Sequence, residues 1–492
     1  MAAAAGAAFA RVSTAAAATP AWDADSWDPD RPFLVTGRPL RVQPVLMYAT
    51  PQPREMRSYK SWGGIQSEEA ATGEVGRITG ELESLKERAE FAIEILPVAR
   101  VTTEEHASAI PHGESDLTIL YPATGGGGLL NACIPERGAV IFARRASGPF
   151  YYWYQALTVR LLASDKDEPG ADKPVSVHDV VIDDLDELLL RLRAWYAMKN
   201  FMGSRVISLG GPWGKYAPDA PQFARDQFQL DIVDVSYDDL AQRIESAFAD
   251  SRKMAHAERW TEKFLGLPHT TLETDRSFVV NAFVLYGIFK DYLAEYETDA
   301  FTIRDCMSTI LPMSKTTACL TLGLLNDEGY AAFCEGDFVV VPAGVFLRHL
   351  TGKPVFMHNS TFPHAGGLVT CAHCSAPRRM NASRYEPVRV LTHYESEFGA
   401  APKVEIPVGQ EVSFINPEYA TGRWLGHKGV VQENPFFEIC RSQQDVRIQG
   451  DWKKLLHEVR DSHWMMVYGD YLREIGYAAP HLGVTWEDIS TA

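Results

Sequence analysis

Between residues 318 and 377, three short apolar runs each end on acidic or imidazole side chains, and no other stretch constrains the chain as tightly. The first run, Tyr330 to Cys334, follows a helical pattern (Leu320, Leu322, Leu324, Leu325) and an Asn326-Asp327-Glu328-Gly329 turn. It delivers Glu335 and Asp337 at its C-terminal end. A helical stripe of Val341, Val345, Phe346 and Leu350 separates it from the second run, Val355 to Met357, which opens onto His358, Asn359 and His364. The third, Leu368 to Ala372, ends at His373. Ligands collect at the C-terminal ends of strands in α/β sheets. Carboxylate oxygen together with imidazole suits a divalent cation such as manganese, cobalt or magnesium. If the segment is extended, Glu335 and Asp337 share one side. Carboxylates so close repel unless a cation or a shared proton lies between them. The plainer alternative is that one caps the next helix and the other is solvated.

A chain of 492 residues exceeds one compact core, so two or three domains are expected. Residues 1–32 form an Ala-rich, then acidic and Pro-bearing stretch, expected to be a disordered tail or an arm. An organelle transit peptide is the alternative for its first part. From 33 to 202, apolar runs alternate with helical patterns, including Thr72 to Ala92 with Val75, Ile78, Leu82 and Leu85 in register. A second α/β unit is expected over 203–299 and a catalytic, metal-binding unit over 300–492. The alternation predicts parallel sheets with helices on their faces. After about Tyr385 the pattern becomes β-rich, and it closes on Ser462-His463 and an apolar run.

The net charge of −17 argues against a nucleic-acid or anionic-membrane surface. No apolar run approaches the ~20 residues that span a bilayer. Seven irregularly spaced cysteines fit a reducing, cytoplasmic compartment better than a disulfide framework. Cys371-Ala-His-Cys374 looks like half of a zinc site, but no second pair stands at ribbon spacing, so buried thiols are expected. The glycine run 125–128 follows a strand but lacks GxGxxG spacing and a Walker lysine, so a loop or lid is expected rather than a nicotinamide site.

The segment DCMSTILPMSKTTACLTLGLLNDEGYAAFCEGD, residues 305–337, with the later HCSAP and SHWMMVYGD segments, resembles the fucose-isomerase-like branch of the L-fucose/L-arabinose isomerase superfamily. The detailed likeness covers Asp305 to Pro377 and Ser462 to Asp470. It implies two Rossmann-like open-sheet domains followed by a C-terminal α+β domain with a β-barrel-like part. It also implies a homo-oligomeric, hexameric or tetrameric, manganese-dependent aldose–ketose isomerase. A deoxy sugar, a pentose or a sulfonated sugar such as sulfoquinovose would be its substrate. By that resemblance Glu335 and Asp337 supply one ligand and a base or second ligand, and His463 is the late imidazole ligand. His364 stands one residue out of step with the middle histidine ligand and His373 is expected to contact substrate; Asn359, also an expected substrate contact, stands with His358 where relatives often carry an acid. If the cluster of Arg54, Arg57 and Lys60 around the Trp62 loop, or Arg378 with Arg379, reaches the pocket, Trp62 and Arg378 are the expected contacts to an anionic sugar; plain surface charge is the alternative. The aromatic run Phe150 to Tyr154 could stack on a sugar face, with core packing as its default. The family's first glutamate has no match here; Ser308 falls near its place and Asp305 is the nearest acid. A sugar-binding protein of the same fold without catalysis is therefore the second expectation.

Overall fold

The computed structural model describes residues 22, 23, 25–60, 65–144, 175–364, 366–418, 422–459 and 461–490. Trp62 and the aromatic run 150–154 lie outside them, as does most of the Ala-rich N-terminus.

The chain forms two compact units, and each is mixed α/β. The first, Arg38–Lys199, is built on an open parallel sheet of six strands. Leu40–Met47 is central; Ile93–Ile95 and Ala99–Val101 pair with its one edge and Leu117–Pro122 with the other. Ala139–Ala143 and Val180–Ile182 continue the sheet, also in parallel. The first helix is Glu68–Arg88, opened by Ser67, whose side chain accepts the Ala70 N–H, and closed by Lys86 and Arg88. Ile78, Leu82 and Leu85 are buried along it, as their spacing predicts. The glycine run differs from the expected loop. Gly125 turns at φ +122, where a Cβ would meet Met47, and Gly127 already belongs to a short helix, Gly127–Ala132.

The second unit holds Asn200–Ala492 and the arm up to Gly37. Its parallel sheet runs Ala331–Phe333, Ala300–Ile303, Arg205–Leu209, Asp231–Val235. Strands from both sides of the boundary expected at 299/300 therefore share one sheet, and the second and third expected domains form one compact unit. The helix Arg276–Glu295 packs in its core. By length and composition it could cross a membrane, contrary to the expectation that no such run exists. Thirteen of its residues, among them Phe283, Tyr286 and Phe289, are instead buried against protein. Each such aromatic contributes about 1.5–3 kcal/mol by leaving water, which explains a helix that is apolar all round. The arm docks there too. Trp27 is buried with its ring 5.0 Å from that of Phe283, and Trp22 stacks on Trp260 and donates from Nε1 to Asp291.

Six antiparallel strands close a barrel in the order Glu411–Glu418, His463–Tyr468, Phe356–Ser360, Leu368–His373, Ser442–Ile448 and Arg423–Glu433, which pairs back onto Glu411–Glu418. Closure removes the exposed edges that an open sheet would leave. The barrel thus begins at Phe356, earlier than the β-rich pattern after Tyr385 implies. Only the first of the three apolar runs joins the parallel sheet, and the other two are barrel strands. Their near-continuous apolar character, read as buried parallel strand, comes from burial inside a closed barrel wedged against helices.

Candidate functional site

The strand Ala331–Phe333 ends at the edge of the parallel sheet, and Cys334 leads into two consecutive left-handed residues, Glu335 at φ +67 and Gly336 at φ +62. A left-handed glutamate costs on the order of 1–2 kcal/mol, so its surroundings must hold it there. They do so through the loop after Arg205–Leu209. The Trp213 indole N–H donates to the Glu335 carbonyl, the Trp213 amide to Gly336 O, and the Phe338 amide to Trp213 O. The segment is therefore turned rather than extended, and the period-two argument does not bring its acids together. A histidine does.

His463, the first residue of its barrel strand, places Nδ1 2.7 Å from Asp337 Oδ2 and Nε2 3.1 Å from Glu335 Oε2. Glu335 Oε1 lies 3.3 Å from His373 Nε2, and His373 Nδ1 lies 3.1 Å from Ser375 Oγ. The second oxygen of Asp337, Oδ1, accepts the backbone N–H groups of Lys215 and Val339. Lys215 Nζ stands 3.5 Å from His463 Nε2 and 3.9 Å from Glu335 Oε2. Asp337 and His463 are wholly buried, His373 nearly so, and the Glu335 side chain keeps about a third of its surface exposed.

Charge follows from this packing. Burial alone would neutralise Glu335, but hydrogen bonds from His373 and His463 outweigh it and hold the carboxyl well below the usual carboxylate range. Burial likewise opposes charge on His463, yet the bonds to Asp337 and Glu335 raise it to about 9. His373 is raised for the same reason, despite its burial. Asp461 is pushed up to about 6 by burial, and its Oδ1 accepts the His463 N–H while Oδ2 has no partner.

The donor atoms of Glu335, His373 and His463 lie within 4.8 Å of one another, as do those of Asp337, Asp461 and His463. The two groups are not equivalent. In the second, both oxygens of Asp337 are already used and all three side chains are buried. In the first, Glu335 reaches solvent, and each histidine has its far nitrogen anchored, on Asp337 or on Ser375. That arrangement fixes ring orientation and tautomer. The first group can hold a divalent cation open to a small molecule.

Of the residues expected from sequence, the fold brings Glu335, Asp337, His463 and His373 together, His373 among the donors rather than apart from them. Asn359 pairs across the barrel with both His463 and Ala372, and is half-buried beside the cluster. His364 is elsewhere. It sits exposed in the turn whose N–H bonds Leu368 O, at the start of a strand that ends at His373, about 17 Å of strand away. Arg378 is buried and spends its guanidinium on Glu386 O, Thr270 Oγ1 and Pro268 O. Arg379 likewise bonds Arg31 O and Asp327 O. Neither is free to grip an anionic sugar. Asp305 pairs with Arg304 at 3.4 Å and is not in the donor group. Lys215 and Asp461 also belong to the cluster and carry no sequence signal of their own beyond standing immediately beside the Gly210-Gly211-Pro212-Trp213 loop and the SHW segment.

No protein-family model matches the chain, and no curated protein matches it either.

Proposed function

We propose that this protein is a metal-dependent aldose–ketose isomerase acting on an open-chain sugar or sugar derivative. The convergence of Glu335, His373 and His463 on one donor site, with Asp337 locked behind His463, carries the reading. One carboxylate and two imidazoles suit manganese or cobalt, and magnesium less well. When bound there, the cation would polarise a sugar carbonyl and stabilise the negative charge that develops beside it. Glu335, the carboxylate of the cluster that reaches solvent, would help hold the cation or move a proton between C1 and C2. Lys215 brings a positive charge to the same mouth, where a sugar oxygen can accept from it. On this reading the two open parallel sheets are Rossmann-like, and the enzyme is a cytoplasmic homo-oligomer, hexameric or tetrameric. The likeness of the CEGD, HCSAP and SHWMMVYGD segments to the fucose-isomerase-like branch supports it.

The test is a panel of five-carbon, 6-deoxy and sulfonated aldoses incubated in heavy water with manganese-loaded protein. The expected result is interconversion with the ketose and deuterium entering at C2, lost in Glu335→Gln. If Glu335→Gln keeps manganese but loses exchange, Glu335 is the base; if it loses manganese, Glu335 is a ligand. No turnover across the panel, with manganese affinity unchanged in the variant, overturns the proposal. One observation favours a second reading: Asp305, the nearest acid to the family's first glutamate, stays outside the donor group. A sugar-binding protein without catalysis would bind an aldose and leave the C2 proton in place.

A further inference from the structure

A second convergence of donors lies on the far side of His373. Cys319 opens the helix Cys319–Glu328, Cys374 follows the barrel strand Leu368–His373, and His393 follows the strand Val388–Leu391. One donor atom from each lies within 4.8 Å of the other two. Cys440, from the loop before Ser442–Ile448, packs against Cys319, Cys374 and Ala401.

Several independent features make this a donor set rather than a chance meeting of thiols. His393 Nδ1 is buried with no hydrogen-bond partner, a costly arrangement for an imidazole unless something else satisfies it. Cys374 Sγ accepts the Arg441 backbone N–H at 3.4 Å, and a donor of this kind stabilises a thiolate. Cys319 stands at a helix N-terminus, where the backbone dipole also favours a thiolate. The half-motif read from sequence is not the unit. Cys371 lies apart from this group, its sulfur taking a hydrogen bond from Ser360 Oγ, and Cys374 joins residues distant in the chain instead.

We propose that Cys319, Cys374 and His393 form a structural zinc site, with Cys440, which packs beside them but lies outside the 4.8 Å group, as the side chain nearest to a fourth position. Thiolate and imidazole select zinc, whereas the oxygen-bearing Glu335 group does not compete for a soft cation on equal terms. Sulfur donors about 2.3 Å from zinc stand about 3.8 Å apart in a tetrahedron, so the group closes by small side-chain movements. Binding displaces the thiol protons to solvent. The ion ties the helix Cys319–Glu328 to the barrel and to the strand Val388–Leu391, and fixes the strand end that carries His373. The inference does not depend on the isomerase reading.

The test is metal analysis of the full chain, followed by replacement with cobalt. The expected result is one tightly held zinc ion per chain and, with cobalt, a sulfur-to-metal charge-transfer band in the near ultraviolet. The Glu335 group contains no sulfur and cannot produce that band, so the result is independent of whether any sugar turns over. The band should persist in His463→Gln and in Cys371→Ser, and disappear in Cys374→Ser. His393→Gln should shift the band and release zinc to a chelator many-fold faster, which covers the case in which Cys374→Ser does not fold. The proposal is overturned by a wild-type chain with no such band, by a band that survives Cys374→Ser, or by a Cys319–Cys374 disulfide in peptides alkylated before denaturation.

Discussion

His463 Nδ1 sits 2.7 Å from Asp337 Oδ2, and neither side chain touches solvent. Because Asp337 Oδ1 is held by two backbone N–H groups, the carboxylate cannot rotate away, and it dictates which nitrogen of His463 faces Glu335. In Asp337→Asn the amide keeps the shape but loses the charge and offers a donor to one of those positions. The variant should bind manganese about 10–100-fold more weakly, as is usual when the partner of a ligating histidine is changed. Titration calorimetry reads this directly. An unchanged affinity would remove Asp337 from the site's machinery.

Lys215 should have the opposite effect on the metal. Its ammonium stands 3.5 Å from His463 Nε2 and 3.9 Å from Glu335 Oε2, where it repels a divalent cation and attracts an oxygen-rich ligand. At a half-exposed site that repulsion is on the order of 1 kcal/mol or somewhat more. Lys215→Met is expected to tighten manganese binding several-fold while weakening retention of any sugar. A variant in which both affinities fall together would show that Lys215 holds the site open structurally.

The pH dependence of the metal-free protein follows from His463. Its folded value of about 9 lies above the ordinary ~6.5 of an unfolded histidine, so the ion-paired imidazolium contributes stability that is fully present below pH ~6.5. That contribution, on the order of 3 kcal/mol, is lost as pH rises through 9. Glu335 behaves inversely: lowered in the fold, it stabilises above the usual carboxylate range, and that is lost as pH falls. Both describe the same contact and do not add. The melting temperature of metal-free protein should therefore decline between pH 7 and 10, and the slope should flatten in His463→Gln. Metal binding should release a proton near neutral pH, visible as a calorimetric heat that depends on the buffer.

The parallel-sheet character was legible because buried strands such as Leu117–Pro122 read as unbroken apolar runs. The helix Glu68–Arg88 was legible from its 3.6-residue stripe and its Ser67 cap. The partition was not, because the strand Ala300–Ile303 joins Arg205–Leu209 across an intervening stretch of four helices and two strands, a long-range pairing that no local pattern encodes. In the site, Glu335 and Asp337 were legible as acids at the end of an apolar run, and His463 through the likeness of its SHWMMVYGD segment. His364 and Arg378 were misplaced for different reasons. A histidine at the wrong end of a barrel strand looks the same in sequence as one at the right end. A buried guanidinium satisfied by carbonyl oxygens looks the same as one awaiting an anion. Lys215 carries no pattern at all; the Trp213 hydrogen bonds to the Glu335 turn and its own N–H to Asp337 Oδ1 bring it to the site.

Gly344 couples the two halves of the cluster. It lies in the helix Val341–Thr351, which packs on both Ala331–Phe333 and His463–Tyr468, the strands that lead to Glu335 and begin at His463. A Cβ at this position would stand 2.5 Å from Phe333 Cζ and 2.6 Å from Met465 Cε, well inside van der Waals contact. The methionine end can swing aside, but the phenylalanine ring is buried with its neighbours and must carry its strand with it. Gly344→Ala would otherwise favour the helix by ~1 kcal/mol. Overpacking of this kind typically costs about 1–3 kcal/mol, so the net effect should be destabilisation, with Glu335 and His463 forced apart. We therefore expect a lower unfolding midpoint in urea together with weaker manganese binding. Phe333→Leu in the same chain should recover part of both, because it removes the ring that the new methyl meets. Recovery of stability without recovery of metal affinity would show that the spacing of the two strands does not set the donor geometry.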